Sequence, residues 1–485
     1  MWRDGGAMVT SGAPGEAATA GGPEMAVSHP PPDFWRRYLT LSFVIFAGFV
    51  ALGSAGPFQA LYAVSLGASL GQVALIAGSY TTIGLVAGLG WGRLADDPRR
   101  RVPMIVCALA TMAVVLFLEA AISRVDPVGL PSPITPWMLL VPLRLIEGTV
   151  WSASQVASMA MMGDLLAGDV RRPRLVSAYR MSGSLAFSVA IVVSGSVSQA
   201  IGYAGSYLVA SAVFVAGFLA AITLPGVLPA ASILSHASCA GEAYLTDGRE
   251  TSPVSPNAPP ESGRFARAGG GSAPIQSGRG PSLPLGDIAS GPMRPVLLLA
   301  LAFGLPFSMV YGVWPIWVAN ERGFGQAVYS QLWGLAAFIE VPCMVVAGWL
   351  ITRFGSARTF ATGMATFAAI YVAYFASPSL PVLFAVQAVR GFGFAAYTAT
   401  SLTMAIELAP PTARGRAAGL YQSAQGLAQI AGNWVGPPLA GAVGYPAVFA
   451  VAALAVAGGA AYALRLAGPD GSGTTATRVR TAAAS

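Results

Sequence analysis

The chain has 485 residues, 55% of them hydrophobic and only 10% charged. Soluble domains carry about a quarter charged residues, so this chain cannot dress a water-facing surface, and lipid is its expected solvent. The formal charge of +7 comes entirely from Arg, with no Lys anywhere. Because most of the Arg sit in loops and tails, the excess is a topology signal, and no nucleic-acid partner is expected.

Cys107, Cys239 and Cys343 are isolated, and His29 and His236 lie outside the apolar runs. Metal-ligand or disulfide spacing is therefore missing, and no metal, cofactor or enzymatic nucleophile–base pair is expected in the membrane. Residues 1–35 are rich in Gly, Ala and Pro. With no short apolar core followed by a cleavage site, they read as a disordered cytoplasmic tail rather than a signal peptide.

Apolar runs of spanning length, about 20 residues, fall near 38–62, 70–92, 103–123, 136–164, 175–199 and 203–224. After a gap they resume near 295–319, 328–350, 359–377, 381–408, 417–441 and 446–466. Residues 225–294 are rich in Pro, Ser and Gly and read as a disordered cytoplasmic linker, with 467–485 as a second such tail. The expected fold is all-α and integral to the membrane. Twelve transmembrane helices form two pseudo-symmetric six-helix bundles, 36–224 and 295–466.

Charge placement agrees with that count. Arg36, Arg37, Arg99 to Arg101, Arg171 to Arg174, Arg294, Arg353, Arg358, Arg414, Arg416 and Arg465 fall on one side under alternation. The other side receives Arg124 and Arg322, each near an acid. The positive-inside rule then puts both termini in the cytoplasm of what is expected to be a bacterial inner membrane. The halves also repeat in detail. Asp164 precedes Arg171 by seven residues and Glu407 precedes Arg414 by seven, while Arg144 and Arg390 lie about a third of the way along runs four and ten.

The turn after run two, Gly92-Arg-Leu-Ala-Asp-Asp-Pro-Arg-Arg-Arg101, is echoed after run eight by Gly348-Trp-Leu-Ile-Thr-Arg-Phe-Gly-Ser-Ala-Arg358. A glycine allows close backbone approach, and arginines resist crossing the bilayer. Gly92, Leu94, Asp96, Arg100 and Arg101 resemble the loop signature of the major facilitator superfamily, as do Gly348, Leu350, Arg353, Gly355 and Arg358. Asp97, Arg99 and Thr352 depart from it. The resemblance implies two parallel six-helix repeats and transport of a small-molecule substrate by rocking of the bundles. It further implies that Asp96 caps the N-terminus of helix eleven when the cytoplasmic side is shut, and that signature arginines pair with the acid closing helix four, here Asp164. Gating is thus expected of Gly92, Asp96, Arg100, Arg101, Asp164, Arg171, Arg353, Glu407 and Arg414.

An ionised side chain near the bilayer centre costs about 2.5–3.5 kcal/mol on insertion scales, so each one present needs a reason. Arg144 and Glu147 are three apart on one helical face, either as a self-neutralising pair or as part of proton coupling. Trp151 and Gln155 continue that face toward a cavity wall. Gln59 and Tyr62 in run one, Tyr311 and Trp314 in run seven and Tyr397 in run ten are expected to face the same cavity. Arg390 has no acid close in sequence and is a substrate or coupling candidate. Glu340 sits midway through run eight, two residues before Pro342. Desolvation penalises its charged form, which suits a proton carrier; the alternative is a structural acid bonded to a neighbour. Gln422, Gln425, Gln429 and Asn433 form an amide row in run eleven, suited either to a hydroxylated ligand or to holding helices together.

Leu335-Ala-Ala-Phe-Ile-Glu-Val-Pro-Cys-Met-Val-Val-Ala-Gly348 resembles the eighth helix of bacterial sugar efflux transporters. Gly56-Pro-Phe-Gln-Ala60 and Leu420-Tyr-Gln-Ser423 are looser echoes of the same group. The resulting expectation is a monomeric, proton-coupled sugar exporter. The alternatives are a drug or apolar metabolite exporter and, from another class, a non-transporting receptor or assembly partner.

Overall fold

The computed structural model describes residues 33–125, 134–166, 172–224, 293–407 and 414–467. The expected tails and the 225–294 linker fall almost wholly outside those residues. Helix α1 (Phe34–Ala55) passes through a single 3₁₀ turn, Gly56–Phe58, into α2 (Gln59–Ser65), and the three form one broken rod. Next come α3 (Leu70–Ala95), α4 (Pro98–Ile122), α5 (Leu140–Leu165) and the 51-residue α6 (Arg172–Ile222). Gly202 splits α6 into two arms, because its φ of 74° is a left-handed conformation that side chains avoid. The second half holds α7 (Arg294–Ile316) with a π turn at Trp317–Glu321, then α8 (Gly325–Phe354) and α9 (Ser356–Phe375). It closes with α10 (Leu380–Glu407), α11 (Arg414–Val443) and α12 (Tyr445–Ala467). With α1–α2 as one rod and α6 as two, twelve rods stand among the described residues, and no strand.

Local chemistry sets the turns. Ser69 and Gln72 form a capping box at the start of α3, the Ser69 amide donating to the Gln72 side-chain oxygen at 2.7 Å. Asp97 accepts from the Arg99 amide at 3.0 Å, and Pro98 occupies the first position of α4. Gly355, with φ of 83°, is the one residue between α8 and α9.

Eight stretches among the described residues are long and apolar enough to cross a membrane by length and composition, one of them covering most of α6. The helices α5, α9 and α11 fall short. Two of these, α5 and α11, give up apolarity to side chains that reach the centre of the molecule.

The packing repeats between halves. α3 lies on α5 as α8 lies on α10, and α4 meets α5 and α6 as α9 meets α10 and α12. Small residues let backbones touch. A Cβ on Gly148 of α5 would stand 2.5 Å from the Tyr80 carbonyl oxygen of α3. One on Gly391 of α10 would stand 2.6 Å from that of Ala336 in α8.

Two extensive crossed contacts join the halves, α3 with α11 and α6 with α8, beside smaller ones of α2 and α3 with α7. In the first, the Trp434 ring sits on Gly78, its Nε1 donates to Thr82 Oγ1 at 3.3 Å, and Leu85 meets Gly426. In the second, Ser198 bonds Gln326 and Ser330 packs on Gly195. Tyr329 adds a bond from its hydroxyl to the Pro57 carbonyl at 2.9 Å. These contacts lie toward the end of the molecule away from the Arg-rich turns. At the Arg-rich end a Cβ on Gly90, Gly92, Gly348 or Gly419 would meet nothing within 4 Å. The close approach expected of Gly92 and Gly348 is therefore not made among the described residues.

Candidate functional site: a cavity between the two halves

The Gly56–Phe58 break, together with α2, α3 and α5 on one side and α7, α8 and α11 on the other, encloses a cavity of about 330 Å³. Gln59, Tyr80, Thr81, Arg144 and Glu147 line it from the first half, and Ser308, Tyr311, Trp333 and Asn433 from the second. Leu52, Val73, Ile76, Phe187 and Phe307 supply an apolar remainder. Gln59 Nε2 is buried with no hydrogen-bond partner among the described residues, a donor on the cavity wall that a ligand oxygen would satisfy.

The first-half wall carries a buried charge cluster. Arg144 and Glu147, each 3% exposed, form an ion pair within α5. The Arg144 guanidinium lies 5.3 Å from the centre of the Tyr80 ring, and its Nε is 4.0 Å from Oε1 of Glu119 on α4. Glu119 is wholly buried, and neither side-chain oxygen has a hydrogen-bond partner among the described residues. Tyr62, expected on the cavity wall, instead donates to the Glu119 backbone carbonyl at 2.7 Å.

The second-half wall is held differently. Arg390 is 7% exposed and lies over the rings of Tyr311 and Trp333, 4.9 and 4.5 Å from their centres. Among the described residues no carboxylate comes within ion-pair distance of it. Its charge acts on Glu340 of α8 from beyond that distance. Glu340 is half-buried where α8 backs onto Gly391, and α8 continues unbroken through Pro342.

The remaining expected wall residues take other places. Trp151 packs edge-on to Phe49 and Phe214, and Gln155 is half-buried further along α5. Trp314 is fully buried among Tyr329, Trp333 and Tyr374. Tyr397 stacks on Phe303 with ring centres 3.6 Å apart, and its hydroxyl accepts from Gln425 Nε2 at 2.6 Å. Of the amide row, Asn433 lines the cavity, while Gln422 and Gln429 are exposed. Helical periodicity puts both on the α11 face that carries Gly426, toward the other half.

In the turns, Arg101 pairs with Asp164 and its Nε donates to the Ala95 carbonyl at 2.7 Å. Arg100 lies 3.2 Å from Asp97, and Asp96 is exposed at the end of α3. Arg353 lies over Trp349 and Phe354. Arg171 and the side chains of Glu407 and Arg414 lie outside the described residues.

Sequence reasoning missed Glu119, Tyr80 and Trp333. Glu119 had a signal, being an acid inside an otherwise uncharged stretch of run three. Trp333 lies seven residues before Glu340 on one helical face. Tyr80 had none, since a tyrosine in an apolar run is ordinary.

Solved structures of similar fold include the nucleoside transporter NupG, with a TM-score of 0.65 at 13% identity over 88% of this chain and 98% of that one. A bacterial homologue of the human lysosomal transporter Spinster, in an inward-facing and unoccupied conformation, gives 0.62 at 14% over 93% and 98%. A structure from work on substrate recognition in proton-dependent oligopeptide transporters gives 0.62 at 12% over 92% and 99%. No curated protein matches the sequence. The family model of the Major Facilitator Superfamily matches residues 41–237 and 296–483, both repeats of the fold around the cavity. The chain belongs to the Major Facilitator Superfamily, and is a multi-pass membrane transporter rather than an enzyme.

Proposed function

We propose that the protein exports sugars or similar small polar solutes in exchange for protons, by alternating access. The observation that carries this reading is the cavity, lined from both halves and closed at one end by the crossed contacts. Gln59, Ser308 and Asn433 offer it neutral donors and acceptors, the chemistry that matches hydroxyl groups. The ion pair of Arg144 and Glu147 lies on the cavity wall, and on the other side Arg390 stands behind the lining rings of Tyr311 and Trp333, so charged groups lie at or just behind both walls. The Arg-rich turns favour a cytoplasmic location for the end opposite the crossed contacts, with both termini on the cytoplasmic side of a bacterial inner membrane. Each chain has its own complete cavity, which supports a working monomer. The likeness of the Glu340-Val-Pro342 segment to sugar efflux transporters points the same way. The apolar lining contributed by Phe187 and Phe307 favours a second reading, export of an apolar metabolite or drug.

The readings separate in proteoliposomes. Gln59→Ala and Asn433→Ala should each lower sugar flux about tenfold, the loss of roughly one hydrogen bond to the solute, while sparing a lipophilic cation. Loss of cation export with no measurable sugar flux in wild type selects the second reading. Equal losses for both solutes assign the amides to structure.

A further inference from the structure

The cluster around Arg144 holds two carboxylates and one guanidinium, all buried. With both acids ionised it carries a net negative charge in a low-dielectric interior; with one proton it is neutral. The geometry says which acid has the proton. Glu147 is engaged by Arg144 Nη1, whereas both oxygens of Glu119 are buried without a donor, the nearest guanidinium nitrogen being 4.0 Å away. An ionised carboxylate stranded like that is far costlier than a neutral carboxyl. The groups facing the site are Tyr62 from α2, Tyr80 from α3, Arg144 and Glu147 from α5, and Tyr207 from α6. Arg144 is the one cation among them.

We propose that Glu119 holds a resident proton in this conformation and exchanges it with Glu147 as Arg144 changes partner. Before the exchange Glu119 is neutral and Arg144 pairs with ionised Glu147. In the exchange the O–H bond of Glu119 breaks, an O–H bond forms on Glu147, and the guanidinium moves to the new carboxylate of Glu119. The cluster stays neutral throughout, so no bare charge is exposed inside the membrane. Arg144 and Glu147 line the cavity and Glu119 does not. Glu147 is therefore the door through which the stored proton meets the solute. This inference rests on the proton-coupled reading above for its use, though not for its existence.

The test is infrared absorption of the full chain in lipid nanodiscs at neutral pH, where a protonated carboxyl gives a band that shifts in D₂O. Wild type should show the band, and Glu119→Gln should remove one carboxyl's worth of it. Glu147→Gln should remove the same intensity, because Arg144, deprived of its partner, then holds Glu119 ionised. No band in wild type, or full intensity in Glu119→Gln, overturns the resident proton. Full intensity in Glu147→Gln overturns the partner change. Should wild type show the band yet release no proton when solute is added, the proton site stands and the coupled-transport reading falls.

Discussion

Arg144 and Arg390 occupy matching places in the two halves and are treated in opposite ways. Each sits on the helix that packs beside the second rod of its half, and each lies over an aromatic ring from that rod, Tyr80 or Trp333. The backbone approach beside them is also matched, through Gly148 and Gly391. The difference lies in the counter-charge. Arg144 has two acids near it, while Arg390 has ring faces and no carboxylate within ion-pair distance among the described residues. Duplication thus preserved the scaffold while the charge diverged. If the proposed exchange holds, one wall of the cavity passes a proton, while the other is backed by a fixed positive charge behind Tyr311 and Trp333.

The strongest way to break this comparison is to remove the cation from each half. Arg144→Met strands a buried carboxylate and should cost about 3–5 kcal/mol of stability, read by SDS unfolding of the purified protein. Arg390→Met breaks no ion pair; it loses its ring contacts and a more distant attraction to half-buried Glu340, about 2 kcal/mol. Equal costs would erase the distinction between the walls. A sharper test addresses what the halves share. Gly148→Ala and Gly391→Ala each drive a Cβ against a carbonyl oxygen and should cost similar amounts, about 1–3 kcal/mol. A cost confined to one half would mean that the scaffold had diverged as well. The smallest effect should come from Tyr397→Phe, which removes the oxygen that accepts from Gln425 and meets Tyr421. About 1 kcal/mol of stability should go, with sugar flux unchanged.

The rods were legible from hydropathy because lipid leaves a backbone few alternatives to the helix. Run boundaries at 103–123 and 359–377 lie close to α4 and α9 for that reason. Legibility ended at the rotation of each helix against its neighbours. Trp151 and Trp314 share helices with true cavity residues yet turn into protein, and Tyr397 lies on α10, which contributes nothing to the lining; periodicity orders residues around one axis and says nothing of the next. Glu119 stood out as the one acid of run three, but its pairing was hidden for the same reason. Its partner is on another helix, and only packing brings α4 and α5 together.

The seat of Trp434 on Gly78 carries one more consequence. Any motion that opens the closed end must lift an indole off a bare backbone and break its bond to Thr82. In the proposed alternating-access cycle that work would recur at every turn, making the pair a detent that holds the idle protein in the shape seen here until a bound solute tips it over.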